Sequence, residues 1–349
     1  MIRRLLPGSV PAAFLGDGAV DLVVTEVDRL GAGRALVLST PRRTTAAEQV
    51  SALLGQRSAG VLPIAEEHVP IETAEQGRVE ASARRADALV AVGGGSTVGL
   101  AKAIALTLEL PIIAVPTTLS GSEMTPVWGI TEGGVKRTGR DERVRARSVL
   151  YDPRLSLGLP PGVAVPSAFN ALAHAAESLY APEADAEILD LAEEAVRLLV
   201  GGLPALSAGS RDTEARAPSF HGACLAGACL SRASMGLHHK LCHVLGGTFG
   251  LPHAPTHAVL LPYVLRFNLE AAPEARGRLL RALGTTDPVR ALLDLSAATG
   301  VPRGLSNLGL AKEALAEAAG LATAKPYPNP RKASAADVLG ILESAYRGR

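Results

Sequence analysis

Along residues 1–158, short apolar runs alternate with stretches in which apolar side chains recur every three or four positions. Residues 34–39 (RALVLS), 59–64 (AGVLPI), 87–92 (DALVAV) and 111–116 (PIIAVP) read as buried strands. The helical period lies between them, over residues 44–55, 71–86 and 99–109. Strands separated by helices of that length predict a parallel sheet covered on both faces. Residues 148–153 (SVLYDP) read as a last strand closing this half. Beyond about Pro160 the pattern is helical throughout, over 168–179, 186–199, 220–230, 235–245, 273–283, 288–299 and 335–346. The prolines and glycine of LGLPPGVAVP interrupt both patterns and mark the boundary. The predicted class is α/β, with a parallel-sheet domain over 1–158 and an all-helical domain over 159–349.

Composition changes this picture little. Aromatic residues are only 3% of the chain, so the core must be built from Ala, Leu and Val. A net charge of +1 gives no electrostatic case for nucleic acid or an anionic membrane. No run approaches the roughly 20 apolar residues of a membrane helix. The N-terminal MIRRLLPGSVPAAF lacks the unbroken apolar core of a signal peptide, because Pro7 and Pro11 interrupt it. Cys224, Cys229 and Cys242 lie in apolar helical settings without CxxC spacing. Buried, reduced thiols and a cytoplasmic location are expected.

Two strands run into loops suited to a nucleotide. The third predicted strand leads into Gly93, Gly94, Gly95, Ser96 and Thr97, then a helix. Glycines let backbone amides approach a phosphate, and the helix start adds unpaired N–H groups. The loop matches neither GxGxxG nor a Walker motif, and a plain tight turn is the competing reading. The next strand ends in Thr117, Thr118, Leu119 and Ser120, hydroxyls placed where open α/β sheets bind ligands. An N-cap cluster is the alternative there. The first predicted strand ends in Ser39 and Thr40 with no acid, and Arg42 and Arg43 follow. Without a carboxylate to repel a 2′-phosphate, both NADH and NADPH are admissible. Solvated arginines at a helix start explain Arg42 and Arg43 equally well.

Six of the eight histidines fall in two short segments. His174 sits in NALAHAAESLYA, and His238, His239, His243, His253 and His257 fall in GLHHKLCHVLGGTFGLPHAPTH. His239 and His243 are four apart and share a helix face. Imidazoles near neutral pH move protons, bind metals or hold anions. His238 points about 100° away from His239 and suits a different part of a substrate or a supporting role. His257 reads as a structural neighbour of His253. Lys136, in GGVKRTGR, is a candidate contact for a carboxylate or ribose, or a solvated hairpin lysine. Arg331, in a stiff proline-rich segment, reads as part of a surface loop, with a carboxylate clamp as the alternative.

The strings GGGST, PTTLSGSE, NALAHAAESLYA, GLHHKLCHVLGG and LPHAPTHAVLLPY resemble the iron-containing alcohol dehydrogenase family. Within it the resemblance is to the maleylacetate reductase branch, and it extends from ALVLSTP to AKPYPNPR. It implies a dinucleotide-binding α/β domain joined to a helical domain in a dehydroquinate-synthase-like arrangement, with the active site between them. The metal ligands of the family, an Asp and three His, match Asn170, His174, His239 and His253. Asn170 departs from the pattern, and Gly99 stands where metal-dependent members often carry an acid. A neutral amide weakens a site for a hard ion such as Fe²⁺, so no metal is expected. The resemblance implies NAD(P)H-dependent reduction of a dicarboxylate, maleylacetate, to 3-oxoadipate. It also implies a homodimer. Asn170, Lys136 and the histidines at 174, 238, 239, 243 and 253 are then the catalytic candidates. Two other enzymes remain open alternatives: a metal-dependent alcohol dehydrogenase and a biosynthetic reductase of a related substrate. A non-catalytic nucleotide-binding protein is the third.

Overall fold

The structure is a computed structural model, and it describes residues 1–348 except Pro7, Ser9 and Val10. Pro7, one of the two prolines noted near the N-terminus, thus lies outside the described residues. The chain divides into two compact units: Met1–Leu159 with Arg211–Phe220, and Pro160–Ser210 with His221 onward.

The first unit contains, in order, β1 (Arg3–Leu5), β2 (Ala12–Leu15), α1 (Val23–Arg29), β3 (Ala35–Leu38), α2 (Thr44–Leu54), β4 (Ser58–Leu62), α3 (Ile71–Ala83), β5 (Ala88–Gly93), α4 (Gly95–Leu108), β6 (Ile112–Pro116), β7 (Val127–Glu132), β8 (Val135–Arg140) and β9 (Ser148–Tyr151). Seven strands form one sheet in the order β1-β2-β9-β6-β5-β3-β4. Only β1 and β2 pair antiparallel; every other neighbouring pair is parallel. Strands β3, β5, β6 and β9 are buried at every position, which explains their unbroken apolar runs. Alternate residues serve opposite faces. Val37, Val90, Val92, Ile113 and Val115 pack with Val23 and Val27 of α1 and with Val50 and Leu54 of α2.

Residues 148–153 do contain a strand, but it does not close the sheet. β9 lies inside it, between β2 and β6. The two N-terminal strands that extend the sheet beyond it are too short for a period-two pattern to show. β7 and β8 form a separate antiparallel hairpin.

The second unit is helical: α5 (Pro161–Ser178), α6 (Ala186–Ser207), α7 (Thr213–Arg232, which starts in the first unit), α8 (Leu237–Phe249), α9 (His253–Asn268), α10 (Pro273–Leu283), α11 (Pro288–Ala298), α12 (Ala314–Thr323) and α13 (Ala335–Arg347). α5 is its central rod, buried without interruption from Ala164 to Ser178. A helix apolar all round belongs in the middle of a bundle. Its polar residues Asn170, His174 and Glu177 fall at i, i+4 and i+7, on one face. α8 ends at Gly250, whose φ of 70° is a left-handed stop. α9 starts three residues later.

Candidate active site

In the first unit the chain reverses its direction of strand addition between β3 and β5. It adds β4 on one side of β3, then returns to lay β5 and β6 on the other. Open parallel sheets bind ligands at the carboxyl ends of strands around such a point. Ser39 and Thr40 follow β3, Gly93 ends β5, and Thr117 follows β6. The Thr117 N–H donates to the Gly93 carbonyl at 3.0 Å, which holds the two loops together.

The glycines are required by close approach. A Cβ on Gly93 would collide with Thr97, and one on Gly94 would lie 2.7 Å from Thr118 Oγ1. At Gly95, which opens α4, a Cβ would meet Ser120 only at 3.8 Å. Ser39 Oγ and Thr97 Oγ1 are buried without a hydrogen-bond partner. Buried hydroxyls are rarely left so. Two orphaned hydroxyls and a backbone cradle fit a dinucleotide. Lys136 lies apart from these loops in sequence, on β8, and is exposed.

In the second unit α5, α8 and α9 bring together all six clustered histidines. The His174 and His239 rings stack at 4.8 Å. His257 lies 4.7 Å from His239, 4.9 Å from His238 and 4.4 Å from His253, centroid to centroid. His243 and His253 face each other at 6.5 Å. Asn170 is buried on the same face of α5 as His174.

Glu177 organises the start of α8. The N-cap, Gly236, has no side chain to cap with, and the Glu177 carboxylate takes over that role. It accepts hydrogen bonds from the backbone N–H groups of Gly236 (3.0 Å), His238 (2.9 Å) and His239 (3.3 Å). It also binds His239 Nδ1 at 2.6 Å. A Cβ at position 236 would press on Glu177 Oε1 and Asn329 Oδ1, both at 3.0 Å. Burial raises the Glu177 carboxyl above its usual range, and the donors around it pull the other way. The anion suits a helix N-terminus. Because His239 donates through Nδ1 to an acceptor, its Nε2 carries the lone pair. That Nε2 is buried and has no hydrogen-bond partner.

Burial sorts the histidines into two classes. His174, His238, His239 and His257 are at most 5% exposed. Burial, reinforced by neighbouring imidazoles, holds His174, His239 and His257 well below the ordinary imidazole range. It lowers His238 to about 3, against the attraction of Glu177. These four are neutral at pH 7. His243 and His253 are exposed. The structure thus separates a neutral, buried inner layer from an exposed outer pair.

Two residues missing from the sequence-based candidates belong here. His257 sits at the centre of the cluster, with Nδ1 3.1 Å from His238 Nε2. Its position four after His253 was the available signal. Glu177, three after His174, had the same kind of signal. Arg331 lies over the Phe267 ring at 3.6 Å and pairs with Glu270 at 3.0 Å. Its segment also clasps the second unit from within. Asn329 and Asn268 exchange amide hydrogen bonds, and Asn329 Oδ1 accepts from the Leu237 N–H at 3.3 Å.

The iron set implied by resemblance does not fit these donors. Asn170 offers a neutral amide where the pattern supplies an anionic carboxylate. An amide and three imidazoles, with no anionic ligand among them, are a poor set for a hard divalent ion.

Family models agree with this architecture. The model described as "Iron-containing alcohol dehydrogenase" matches residues 11–153. "Fe-containing alcohol dehydrogenase family, C-terminal" matches residues 164–346. The chain belongs to the iron-containing alcohol dehydrogenase family. Within the family it falls in the maleylacetate reductase branch. It is 50% identical over 344 residues to a maleylacetate reductase of Burkholderia cepacia, covering 99% of this chain and 98% of the relative. The crystal structure of maleylacetate reductase from Rhizobium sp. strain MTP-10005 superposes with a TM-score of 0.94 at 42% identity, covering 99% of both chains. A 1,3-propanediol oxidoreductase superposes at 0.90 with 27% identity, covering 99% of this chain and all of the other. Among the described residues, no helix is long and apolar enough to cross a membrane.

Proposed function

We infer that this chain is an oxidoreductase that reduces the conjugated double bond of maleylacetate to give 3-oxoadipate, in the degradation of aromatic compounds. The observation that carries this reading is the division of the histidines into a neutral buried layer and an exposed pair. It occurs in a chain half identical along its length to a maleylacetate reductase.

A bound NADH or NADPH supplies the hydride. The amides of Gly93, Gly94, Gly95 and Ser96, with the orphaned Thr97 hydroxyl, would hold its phosphates. The Thr117, Thr118 and Ser120 hydroxyls would complete the same cradle, and Ser39 and Thr40 would hold the adenosine ribose. With no acid at the end of β3, and with Arg42 and Arg43 in the turn that follows, either cofactor is accepted.

When an enone accepts hydride, negative charge appears on the ketone oxygen and a carbon must then take a proton. His243 and His253 supply the cationic donors for both needs. His239, locked by Glu177, keeps Nε2 as an acceptor and orients the substrate. His174 and His238 shape the wall of the site, and Asn170 offers an uncharged amide to a substrate oxygen. Lys136 serves a substrate carboxylate or a ribose hydroxyl. No metal enters these steps. The enzyme acts as a homodimer in the cytoplasm; family resemblance supports the first, and three buried cysteines outside any disulfide support the second.

Incubation with maleylacetate and NADH should consume them one for one and release 3-oxoadipate. Failure to form that product, with turnover of simple aldehydes instead, would overturn the reading.

A further inference from the structure

Beside the exposed pair lies a cluster that includes a thiol, Cys242, to which the reaction gives no role. His238 and Cys242 are four apart on α8, so their side chains share a face. His257 reaches the same point from α9. Cys242 Sγ is 3.7 Å from His238 Nε2, and His257 Nδ1 is 3.1 Å from that same nitrogen. All three donor atoms lie within 4.8 Å of one another, and all three residues are buried.

A tetrahedral zinc with usual bond lengths places two nitrogen ligands about 3.4 Å apart, and nitrogen and sulfur about 3.6 Å apart. The observed separations of 3.1 and 3.7 Å fall within a few tenths of those values. The third separation, between Cys242 and His257, is at most 4.8 Å, so those two side chains would close by no more than about 1.2 Å to admit an ion. The donor set is also the right chemistry, since thiolate with imidazole favours zinc over hard divalent ions.

We propose that His238, Cys242 and His257 form a zinc(II) site that ties α8 to α9. It is distinct from the set at Asn170, His174, His239 and His253, and it contains the sulfur ligand that the other set lacks. Its fourth position is open to water. The ion enters past His253, whose ring is exposed and 4.4 Å from that of His257. Its role is to brace the two helices that carry His243 and His253.

The test is titration of metal-stripped full-length protein with Zn²⁺, and separately with Co²⁺ as a spectroscopic probe. Wild type should bind one ion per chain, melt at a higher temperature, and show a thiolate-to-cobalt charge-transfer band. Cys242→Ala should lose that band and bind at least about tenfold more weakly. Cys242→Ser repeats the test with a closer mimic of the thiol if the alanine variant folds poorly. His174→Ala should keep both the band and the affinity. No binding by wild type, or binding indifferent to Cys242 and lost in His174→Ala, would overturn the proposal.

Discussion

Glu177 Oε2 lies 2.6 Å from His239 Nδ1, and both side chains are buried. One carboxylate thereby caps a helix and sets the tautomer of a histidine from that helix. Glu177→Gln removes the charge and turns one acceptor into a donor facing N–H groups. The loss of hydrogen bonds to a buried anion should cost about 2–4 kcal/mol of stability. Turnover should drop at least about tenfold because His239 loses its fixed tautomer. Urea unfolding together with steady-state kinetics reads both. A variant as stable and as active as wild type would show that Glu177 organises nothing.

The buried histidines predict acid lability. His174, His238, His239 and His257 have folded-state pKa values lowered from 6.5. Above pH 6.5 they are neutral both folded and unfolded, and their neutrality costs nothing. Below it the unfolded chain takes up protons that the folded chain refuses, so stability falls as pH falls. Each such histidine contributes a slope of about 1.4 kcal/mol per pH unit. The raised carboxyl of Glu177 acts in the opposite sense and offsets a part of this. The melting temperature should hold above pH 7 and decline steeply between pH 6.5 and 5. A flat profile there would mean that the inner imidazoles are charged or solvated.

The two glycines after β5 should respond differently to an added methyl. At Gly94 the Cβ would lie 2.7 Å from Thr118 Oγ1, whereas at Gly95 it meets only Ser120 at 3.8 Å. Gly94→Ala should weaken NADH binding at least about tenfold, or 1.4 kcal/mol, by displacing the threonine loop. Gly95→Ala should have a smaller effect. Fluorescence titration of NADH measures both, and equal losses would mean that close approach is not what Gly94 provides.

His243→Ala and His253→Ala should each lower turnover at least about a hundredfold, or roughly 2.7 kcal/mol. The enolate charge appears only in the transition state, so the rate constant falls more than the Michaelis constant rises. NADH affinity should be nearly unchanged. Two folded variants with near-normal turnover would make the outer pair structural.

Much of this was legible in the sequence because burial leaves a pattern. β3, β5, β6 and β9 lie under helices, and their apolar runs show it. The histidine spacing showed which residues share a helix face. It did not show depth, which is what separates His257 and His238 from His243 and His253. Depth depends on how α5, α8 and α9 pack, a long-range property. The hairpin β7–β8 carries few buried residues, so no strong period marked it. α9 was hidden by Pro255 and Pro262. Pro255 lies in the first turn, where its missing N–H has no helical partner to lose.

The most direct test of the account is turnover of maleylacetate by metal-depleted enzyme. The central claim is that imidazoles, not a metal, supply the charge that the enolate needs, as Asn170 in place of a carboxylate suggests. Enzyme stripped with a strong chelator, checked by elemental analysis, should oxidise NADH with maleylacetate at the untreated rate, measured below its melting temperature. A rate lost on stripping and restored by Fe²⁺ or Zn²⁺ in wild type, but not in His174→Ala, would contradict it.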